Sequence, residues 1–455
     1  MVGKLVRALA GRRSEVLTEV VREGSENVIE VLRGEGPRLL VLDAHTDIVP
    51  EGDLEPWFGR DPFSGAEGTV EYLGGSQVRL TCDGDSRVVG IRDRMDRAWR
   101  RRDHTRRRVM FGRGAFDNKG PVVAAAMAMG ALSEVLPELG LGLGGSVVTG
   151  YTVDEEVTCT GIRAMAGGPG SWLGRNGFLD RPIGPDGLLE GAWGIALEGS
   201  YGWVPVIGHR GSVRLKVGTR GQAAHAATPE LGVNAVLKMA RALLALDENT
   251  DELISELLTR LDPSLLGPPS LAVGTTLVGG GVRSVAMEAA GPVVDRQGVN
   301  SIPNWCEATV DVRHPPSWDM SAEETACFIL EAIQRHLQRQ LAPRGWFFEV
   351  DLLPHGVTPP VALAPTVDEA SDLPLVLLTR HRAKQVLGAW PELETAPGGT
   401  NATFMVHEGQ IQTLVELGPA GGLSHDANEF VELDDVIDGA KLLALLAVDL
   451  VGVRP

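Results

Sequence analysis

Apolar residues along this chain fall into short runs of strand length and longer segments with a helical pattern. RLLVLDAHTD, SVVTGYTVDEE and GAWGIALEGS each have a buried-strand pattern that ends on polar residues. PVVAAAMAMGALSEVL has the pattern of a helix with a proline near its first turn. Strands and helices in this arrangement predict an α/β fold with polar residues at the carboxyl ends of its strands, where open α/β sheets bind ligands.

The pattern changes between residues 208 and 355. GSVRLKVGTRG and SIPNWCEATVDVRHPP alternate as half-buried strands do, and VNAVLKMARALLAL and AEETACFILEAIQRHLQRQL read as helices. Strands with two helices on one face predict a small α+β domain inserted in the larger one. We therefore predict a first part of the larger domain at 1–208, an insert at 209–355 and a second part at 356–455. Residues 1–33 read as an amphipathic helix followed by a strand.

Composition limits the class of protein and its partners. The chain has 455 residues, enough for two cores, and a formal charge of 42 − 60 = −18. This charge repels phosphate, so neither nucleic acid nor an anionic membrane is expected as a partner. The four cysteines form no CxxC pair, and the first residues lack a signal-peptide core. The apolar run 122–132 is too short to span a bilayer. We predict a cytoplasmic protein with free thiols at Cys82, Cys159, Cys306 and Cys327.

Five residues of metal-ligand type occur in a fixed order, each in a motif of its own. They are His45 in LDAHTD, Asp117 in GRGAFDNKG, Glu156 in VDEE, Glu198 in ALEGS and His425 in GGLSHDANE. Singly, these motifs also fit a hydrogen-bonded strand-end histidine, a helix-capping aspartate or a solvated acidic loop. Two histidines and three carboxylates together suit a pair of zinc-like ions, which can clamp both oxygens of a hydrolytic displacement. The set predicts a hydrolase.

The residues beside these candidate ligands have predicted roles of their own. Asp47 shares a strand face with His45 and can accept its second ring N–H, which fixes the tautomer. The glycines around Asp117 allow tight backbone geometry, so this carboxylate can give one oxygen to each of two metals. In VDEE, adjacent side chains point in different directions, so we assign Glu156 as a ligand and Glu155 as the general base.

Taken together, these motifs resemble the co-catalytic zinc aminoacylase and deacylase family. That family includes acetylornithine deacetylase, succinyl-diaminopimelate desuccinylase and the glutamate-releasing carboxypeptidases. The resemblance runs over residues 39–436 and implies a large zinc-peptidase-type catalytic domain with an inserted α+β lid and dimerisation domain. It implies two ions, with a cis peptide bond after the bridging ligand. The implied ligands are His45 and Glu198 on one ion, Glu156 and His425 on the other, and Asp117 as the bridge.

The resemblance extends to candidate substrate residues. RGQAAHAATPELGVNA is similar to the lid motif of the family, which implies that His225 stabilises the oxyanion, often in the site of a partner subunit. NSIPNWCEATVDVR implies substrate contacts from Asn300 and Arg313, and an arginine suits bidentate binding of a carboxylate. APGGTNATF places Gly399 and Thr400 near the ligand. The alternatives are a loop histidine before a helix and an ordinary strand-end arginine.

The glutamate at position 198 is more typical of the deacylases and carboxypeptidases of this family than of its dipeptidases. We therefore predict hydrolysis of an N-acyl amino acid or a related small amide that carries a carboxylate. Zn²⁺ is the expected metal, with Co²⁺ or Mn²⁺ as alternatives, and a homodimer is the expected assembly. A dipeptidase or carboxypeptidase, or a specialised-pathway enzyme that uses the site for a non-hydrolytic step, remains the alternative function.

Three features depart from the family pattern. Residues 86–108 carry ten arginines against three aspartates, which fits a solvated insertion, a subunit contact or an anion-binding element. The stretch GGPGSWLGRNGFLDRPIGPDG, residues 167–187, is a second addition. Asn401 stands where an aspartate is common after GGT. Because both added segments adjoin motifs of the site, they could reshape the substrate pocket.

Overall fold

The computed structural model describes most of the chain. The residues outside its description are 1, 12, 59, 75–76, 91–105, 289–290, 298–299 and 342–343, together with the side chains of 283–297. The predictions for the arginine-rich segment 86–108 rest mainly on residues 91–105 and therefore lie outside the described residues.

Strands and helices alternate through most of the described chain. The strands are β1 (Glu15–Arg22), β2 (Ser25–Leu32), β3 (Leu39–His45), β4 (Ala66–Gly74), β5 (Gln77–Cys82), β6 (Asp85–Gly90), β7 (Arg106–Phe111), β8 (Gly142–Leu143), β9 (Ser146–Thr152), β10 (Ala192–Leu197), β11 (Val206–His209), β12 (Gly211–Arg220), β13 (Ser270–Gly279), β14 (Val282–Glu288), β15 (Gly291–Gln297), β16 (Trp305–His314), β17 (Phe348–Thr358), β18 (Val361–Ala362), β19 (Glu394–Ala396), β20 (Gln412–Leu417), β21 (Gly421–Gly422), β22 (Phe430–Glu432) and β23 (Val453–Arg454). The helices are α1 (Val2–Leu9), α2 (Gly120–Glu138), α3 (Thr160–Ala166), α4 (Trp172–Arg175), α5 (Ala235–Glu248), α6 (Thr250–Leu257), α7 (Ala322–Leu341), α8 (Val367–Ser371), α9 (Pro374–Leu387), α10 (Ala402–His407) and α11 (Leu433–Val451), with a π turn at Ala115–Lys119 and a 3-10 turn at Pro229–Leu231.

Residue contacts divide the chain into two units, which we call the large unit and the insert. The large unit consists of Met1–His209, Val361–Ala396 and Thr400–Pro455, and the insert of Arg210–Pro360 with Pro397–Gly399. The predicted insert, 209–355, starts one residue earlier and ends five residues earlier than Arg210–Pro360. Its roles as a lid and a dimerisation domain stay predictions.

The main sheet of the large unit positions the ends of its strands. Its order is β1-β2-β9-β3-β10-β20-β11-β18, with β19 paired to β11. The four strands β9, β3, β10 and β20 are parallel to their neighbours within this group. Every residue of β3 and β9 is buried, because strands inside a parallel sheet are covered on both faces. Helices α2 and α11 pack on β3 and on each other, and α3 and α10 contact β9, β10 and β20.

Parallel strands bring three of the motifs to one edge of this sheet. β3 ends on His45, β9 leads into Glu155 and Glu156, and β10 is followed directly by Glu198. Since these strands are parallel and adjacent, their carboxyl ends lie side by side. The edge that the sequence predicts for the site is therefore the edge where these motifs meet.

A second, antiparallel sheet in the large unit carries the other two motifs. Its order is β21-β22-β7-β4-β5-β6. β7 leads into the turn that holds Asp117, and the loop of His425 connects β21 to β22. The segment NEFVELDDV after His425 is divided between two elements, because Phe430 pairs with Phe111 of β7 and helix α11 begins only at Leu433. Residues 15–32 likewise form a hairpin of two strands rather than the single strand expected there.

The insert has the α+β architecture that its sequence pattern predicts. Its sheet has the antiparallel order β13-β16-β12-β17, and a separate hairpin joins β14 to β15. Helices α5 and α7 contact this sheet, and α6 packs on α7. The core between them is aliphatic, with Leu215, Val310, Ile329 and Ile333 fully buried. The predicted fold class, an α/β catalytic domain with an inserted α+β domain, is confirmed.

The added segment 167–187 lies away from the candidate site. It forms α4, and its Trp172 and Phe178 stack in a core that also contains Leu39, Ala192 and Ile411. These three residues stand at or next to the amino ends of β3, β10 and β20, whereas the candidate ligands stand at the carboxyl ends. Two aromatic residues of this segment therefore pack in the core, and an effect of the segment on the substrate pocket stays a prediction. Its aromatic residues are satisfied by packing beneath the sheet.

The helix that follows Asp117 is apolar because it lies in the core. Ala115–Glu138 has the length and hydropathy of a membrane span, but 67% of its most apolar stretch is buried within the fold. A core helix of this kind satisfies the same criteria as a membrane-spanning helix. The prediction of a cytoplasmic protein stays a prediction.

Candidate metal centre

The side chain of His45 contacts two acids of the predicted ligand set. The histidine is 1% exposed, and its Nε2 lies 2.9 Å from Oδ1 of Asp117 and 3.3 Å from Oε2 of Glu198. Its Nδ1 lies 3.1 Å from the main-chain oxygen of Asp47 and 3.5 Å from Oδ1 of the same residue. The main-chain carbonyl of Asp47 is therefore the nearer partner of the second ring nitrogen, and the carboxylate that the sequence analysis expects there is farther away.

His425 forms a matching group on the other side of Asp117. Its Nε2 lies 3.2 Å from Oδ2 of Asp117 and 3.3 Å from Oε2 of Glu156. The donor atoms of His45, Asp117 and Glu198 lie within 4.8 Å of one another, and so do those of Asp117, Glu156 and His425. Asp117 belongs to both groups and directs one oxygen to each histidine.

Asp47 also fixes the loop that carries the paired glutamates. Its Oδ1 accepts the main-chain N–H of Glu155 at 3.1 Å, and its Oδ2 accepts that of Glu156 at 3.1 Å. One carboxylate thus orients the loop of the candidate base and ligand while its residue also orients His45. The sequence analysis predicted only the contact with the histidine.

Glu429 holds the turn around Asp117, a role that the sequence analysis missed. Its Oε1 accepts the main-chain N–H groups of Phe116 at 3.0 Å and Asp117 at 2.9 Å. Its Oε2 accepts Arg113 Nη1 at 2.7 Å and the N–H of Gly114 at 2.9 Å. The side chain is 1% exposed and has lost its water on burial. The four donors replace the hydrogen bonds that this water would have made. The available signal was an acid inside the apolar run NEFVEL.

The turn at Asp117 is joined to the strand that bears Glu198. The peptide bond between Asp117 and Asn118 is cis, as the resemblance implies. Asn118 Nδ2 donates to the carbonyl oxygen of Leu197 at 2.7 Å. On the other side, a Cβ at Gly418 would lie 1.8 Å from the carbonyl oxygen of Glu198, so only glycine permits this close approach.

Backbone strain accompanies the loops that carry ligands. His425 has φ 64°, and its neighbours Leu423 and Asn428 have φ 60° and 63°. Asp154, just before the glutamate pair, has φ 69°. Non-glycine residues rarely adopt this left-handed region, and such strain persists where the surrounding contacts determine it and is common at functional sites.

Acidic side chains outnumber imidazoles in this cluster, and each shifts the pKa values of its neighbours. Burial alone would raise the pKa of Asp117, yet hydrogen bonds from His425 and His45 hold it below its ordinary range. Hydrogen bonds to Asp117 and Glu156 raise the pKa of His425 to about 10. Burial raises the pKa of Glu198, and nearby carboxylates act in the same direction. Among the described residues, the ion pairs of Asp117, Glu156 and Glu198 are all with these two imidazoles. A site so rich in carboxylates suits cations.

The donor set fits divalent metal ions. Imidazole nitrogens and carboxylate oxygens suit Zn²⁺ and related ions. Oε1 of Glu156 is buried and has no hydrogen-bond partner among the described residues. Buried carboxylate oxygens normally have a partner, so this atom is a further ligand position. Glu155 lies beside it, and burial raises the pKa of its carboxyl, with Asp117 and Glu156 adding to the shift while His45 opposes it.

The candidate substrate residues of the insert have a different environment. His225 and Asn300 are exposed, and the main-chain oxygen of Asn300 accepts the N–H of Ala226 at 2.7 Å, so their loops are adjacent. Arg313 donates from Nε to Asp311 Oδ1 at 2.9 Å and from Nη2 to Asp311 Oδ2 at 3.2 Å. The guanidinium predicted for the substrate is therefore held by a carboxylate of its own strand.

Thr400 is the last residue of the GGT loop and belongs to the large unit. Its hydroxyl donates to the carbonyl oxygen of Val415 at 2.7 Å. Gly399, the residue before it, is grouped with the insert. The proton of Thr400 is thus used within the fold, and a substrate contact at this residue would come from the main chain.

The fold and the clustered candidate ligands are those of a metal-dependent hydrolase built on an α/β catalytic unit. The chain belongs to the Peptidase family M20/M25/M40, whose model matches residues 89–449. It is a hydrolase of amide bonds, as predicted, and its dependence on metal is likewise confirmed.

Two kinds of relative accompany the family match. The succinyl-diaminopimelate desuccinylase of Paracoccus denitrificans is 25% identical over 435 residues, which cover 93% of this chain and 86% of that protein. A metallo-carboxypeptidase from Sulfolobus solfataricus superposes with a TM-score of 0.61 at 17% identity, over 98% of this chain and 92% of that one. Human carnosine dipeptidase 1 gives 0.58 at 16% identity, over 99% and 88%. At these identities the two solved structures show a shared fold.

Proposed function

We propose that this protein hydrolyses the amide bond of an N-acyl amino acid, or of a related small carboxylate, at a centre of two divalent ions. The observation that carries the proposal is the placement of Asp117 between two histidines. One of its oxygens lies 2.9 Å from Nε2 of His45, and the other lies 3.2 Å from Nε2 of His425. A carboxylate that serves two imidazole–carboxylate groups is the arrangement that a bridged pair of ions requires.

Each ion would have its own histidine and glutamate. His45 and Glu198 would hold one ion, and Glu156 and His425 the other, with Asp117 between them. Zn²⁺ fits this mixed nitrogen and oxygen set, and Co²⁺ or Mn²⁺ would fit as well. When bound, two such ions supply Lewis acidity for the scissile carbonyl and lower the pKa of a water molecule.

Glu155 is our candidate for the general base. Its loop is held by Asp47, and its carboxyl lies close enough to Asp117 and Glu156 for their charges to raise its pKa. A base with a raised pKa can take a proton from water and then return it to the leaving nitrogen. Asp47 contributes by orienting both His45 and the loop of Glu155.

His225 is our candidate for stabilising the oxyanion. Its Nδ1 accepts the main-chain N–H of Ala227 at 3.1 Å. In the neutral ring this bond places the remaining proton on Nε2, which is then a hydrogen-bond donor. A donor of this kind stabilises the negative charge that develops on the carbonyl oxygen.

We propose a homodimer in which the insert mediates the association, and a cytoplasmic location.

The substrate carboxylate would be bound by Arg313 and Asn300, with main-chain contacts from Gly399 and Thr400. Asp311 holds two of the guanidinium nitrogens of Arg313 and so fixes its orientation. Nη1 of Arg313 would then bind the substrate. The substrate could also displace Asp311 from Nε or Nη2. Because a substrate carboxylate competes with Asp311, recognition at this position favours a strongly anionic group.

The relatives support an acylated amino acid as the substrate class. Several related sequences are named succinyl-diaminopimelate desuccinylase, the one from Paracoccus denitrificans and one from Stenotrophomonas maltophilia among them. The substrate in that name combines an amide with carboxylates. The proposed metal centre would act on the amide, and Arg313 and Asn300 would bind a carboxylate. A dipeptidase or carboxypeptidase is the second candidate, because proteins so described share the fold.

The test is product detection by mass spectrometry. Zinc-loaded protein is incubated with N-succinyl and N-acetyl amino acids and with dipeptides, and bound metal is counted in parallel. We expect two ions per chain and cleavage of the acylated amino acids. In Glu155→Gln the ions should stay and the rate should fall by about 10²–10⁴-fold. The exposed acid replacement Glu138→Gln is the control and should keep the full rate.

Two results would overturn this proposal. Cleavage of dipeptides alone would select the peptidase. Two bound ions with no cleavage of any amide would instead point to a specialised step without hydrolysis.

A further inference from the structure

A buried carboxylate and a buried amide meet directly beneath the candidate metal centre. Asn401 Nδ2 donates to Oδ2 of Asp43 at 2.8 Å, and the hydroxyl of Thr152 donates to Oδ1 of Asp43 at 2.7 Å. The same amide nitrogen lies 3.2 Å from Oγ1 of Thr152. Asp43 is 1% exposed, and Asn401 and Thr152 are fully buried. Three polar side chains thus bond to one another through Asp43, while Oδ1 of Asn401 is buried and has no hydrogen-bond partner among the described residues.

This cluster joins two parts of the candidate site. Asp43 is two residues before His45 in β3, so the two side chains share a face of the sheet. Asn401 directly follows Thr400 and stands at the start of α10. Its side chain is therefore a link between the strand of a metal ligand and the end of the GGT loop.

We propose that Asn401 is a positioning residue, which fixes Thr400, the last residue of the GGT loop, next to the strand of His45 through its bond to Asp43. The inference rests on the proposed function in one respect, namely that this loop contacts substrate. The amide of Asn401 donates directly to the carboxylate of Asp43, whereas two carboxylates at 2.8 Å would repel each other unless they shared a proton.

The loop is the part of this link that can yield. β3 is paired on both sides, with β9 and β10, and Thr152 of β9 holds Asp43 from below. Before Asn401, in contrast, Pro397 and Gly399 are exposed and Gly398 and Thr400 only half-buried. Repulsion between positions 43 and 401 would therefore displace the loop and leave His45 in place. The expected consequence is weaker substrate binding with unchanged metal binding.

A double-mutant cycle tests this pairing. We expect Asn401→Asp to raise KM by about tenfold, since small misplacements of binding groups have effects of this order, with little change in kcat. Bound metal should stay at the level of the unmodified protein. Asp43→Asn should have little effect, because two amides can still bond. Asp43→Asn combined with Asn401→Asp restores one acid and one amide and should return KM to within about twofold.

Hydrogen exchange gives a second readout that needs no substrate. The amides of residues 397–404 should exchange faster in Asn401→Asp and return to normal in the double variant. If Asn401→Asp does not fold, Asn401→Ser replaces it, since it removes the amide without adding a charge. Glu408→Gln, at the other end of α10, is the control for a change of one charge unit and should leave exchange of the loop unaltered.

The two readouts separate this inference from the proposed function. Faster loop exchange that the second substitution reverses supports the pairing even if no amide substrate is cleaved. An unchanged loop in Asn401→Asp, or a failure of Asp43→Asn to rescue both exchange and KM, overturns it. Loss of bound metal in Asn401→Asp would also overturn it, because His45 would then be the part that moved.

Discussion

The candidate residues of the large unit and those of the insert are held in opposite ways. His45 is 1% exposed, and Asp47 and Glu429 hold the loops around it through several hydrogen bonds. His225 and Asn300 in the insert are exposed, and Arg313 is paired with an acid of its own strand. Neighbouring hydrogen bonds can orient a candidate metal ligand before an ion binds, whereas an exposed group that meets a substrate can complete its contacts on binding.

This difference also separates the kinds of evidence that each region offers. In the large unit the geometry itself suggests the chemistry, because donor atoms from distant parts of the chain converge within 4.8 Å. In the insert, the roles rest on resemblance and on local details such as the tautomer of His225. The experiments that follow ask whether this contrast between preformed and substrate-completed residues holds.

The largest effect is expected from removing His225. We predict that His225→Ala lowers kcat by about 10²–10³-fold, the usual effect of losing one oxyanion donor. KM and the number of bound ions should stay unchanged, because the residue is exposed and belongs to neither ligand group. Steady-state kinetics and metal analysis measure these quantities. His355→Asn, another exposed imidazole of the insert, is the control, and asparagine tolerates its φ of 55°.

Mixing two inactive proteins sharpens this experiment. If His225 acts in the site of a partner subunit, combining His225→Ala with Glu155→Gln should regain activity, because one site of the mixed dimer has both groups. No recovery after verified exchange of subunits would mean that the histidine acts in its own chain. A loss of bound metal in His225→Ala would contradict the assigned role altogether.

A smaller and different effect is expected from Glu429. Glu429→Gln keeps the size of the side chain but exchanges an acceptor for a donor near Arg113 and three main-chain N–H groups. We predict metal affinity about 10–100-fold weaker, as for other residues that orient ligands, while kcat at saturating metal changes little. Competition with a chelator measures the affinity. Glu30→Gln, a fully buried acid bonded to Tyr151, is the control, and equal losses in both variants would refute a specific role for Glu429.

The sequence was most informative where function depends on residues within one motif. Strand runs that end on polar residues predicted the positions of His45, Glu156 and Glu198, because parallel strands place their ends together. Glu429 was missed because it bonds to residues more than 300 positions away, and Asp43 with Asn401 for the same reason. Long-range pairs of this kind leave no local pattern. Residues 430–435 have signals for both a helix and a strand, and pairing with the distant strand β7 makes the first part of this segment a strand.

The smallest effect on catalysis is expected from the added segment 167–187, which lies by the amino ends of the strands. Trp172 is 8% exposed and stacks on Phe178 with ring centroids 5.7 Å apart. We predict that Trp172→Ala lowers the free energy of unfolding by about 3–5 kcal/mol, as large core truncations do. Trp318→Ala, at an exposed tryptophan with one hydrogen bond, should cost about 1 kcal/mol.

Denaturant unfolding and kinetics on the same samples of Trp172→Ala decide between two roles for this segment. At a temperature well below the melting transition, kcat and KM should equal those of the unmodified protein, because the segment touches the opposite ends of the strands from the candidate ligands. An altered KM at unchanged folded fraction would mean that packing beneath the sheet reaches the substrate residues. Such a result would support an effect of this segment on the substrate pocket. The effect would be transmitted through strands β3 and β9, which are buried along their whole length.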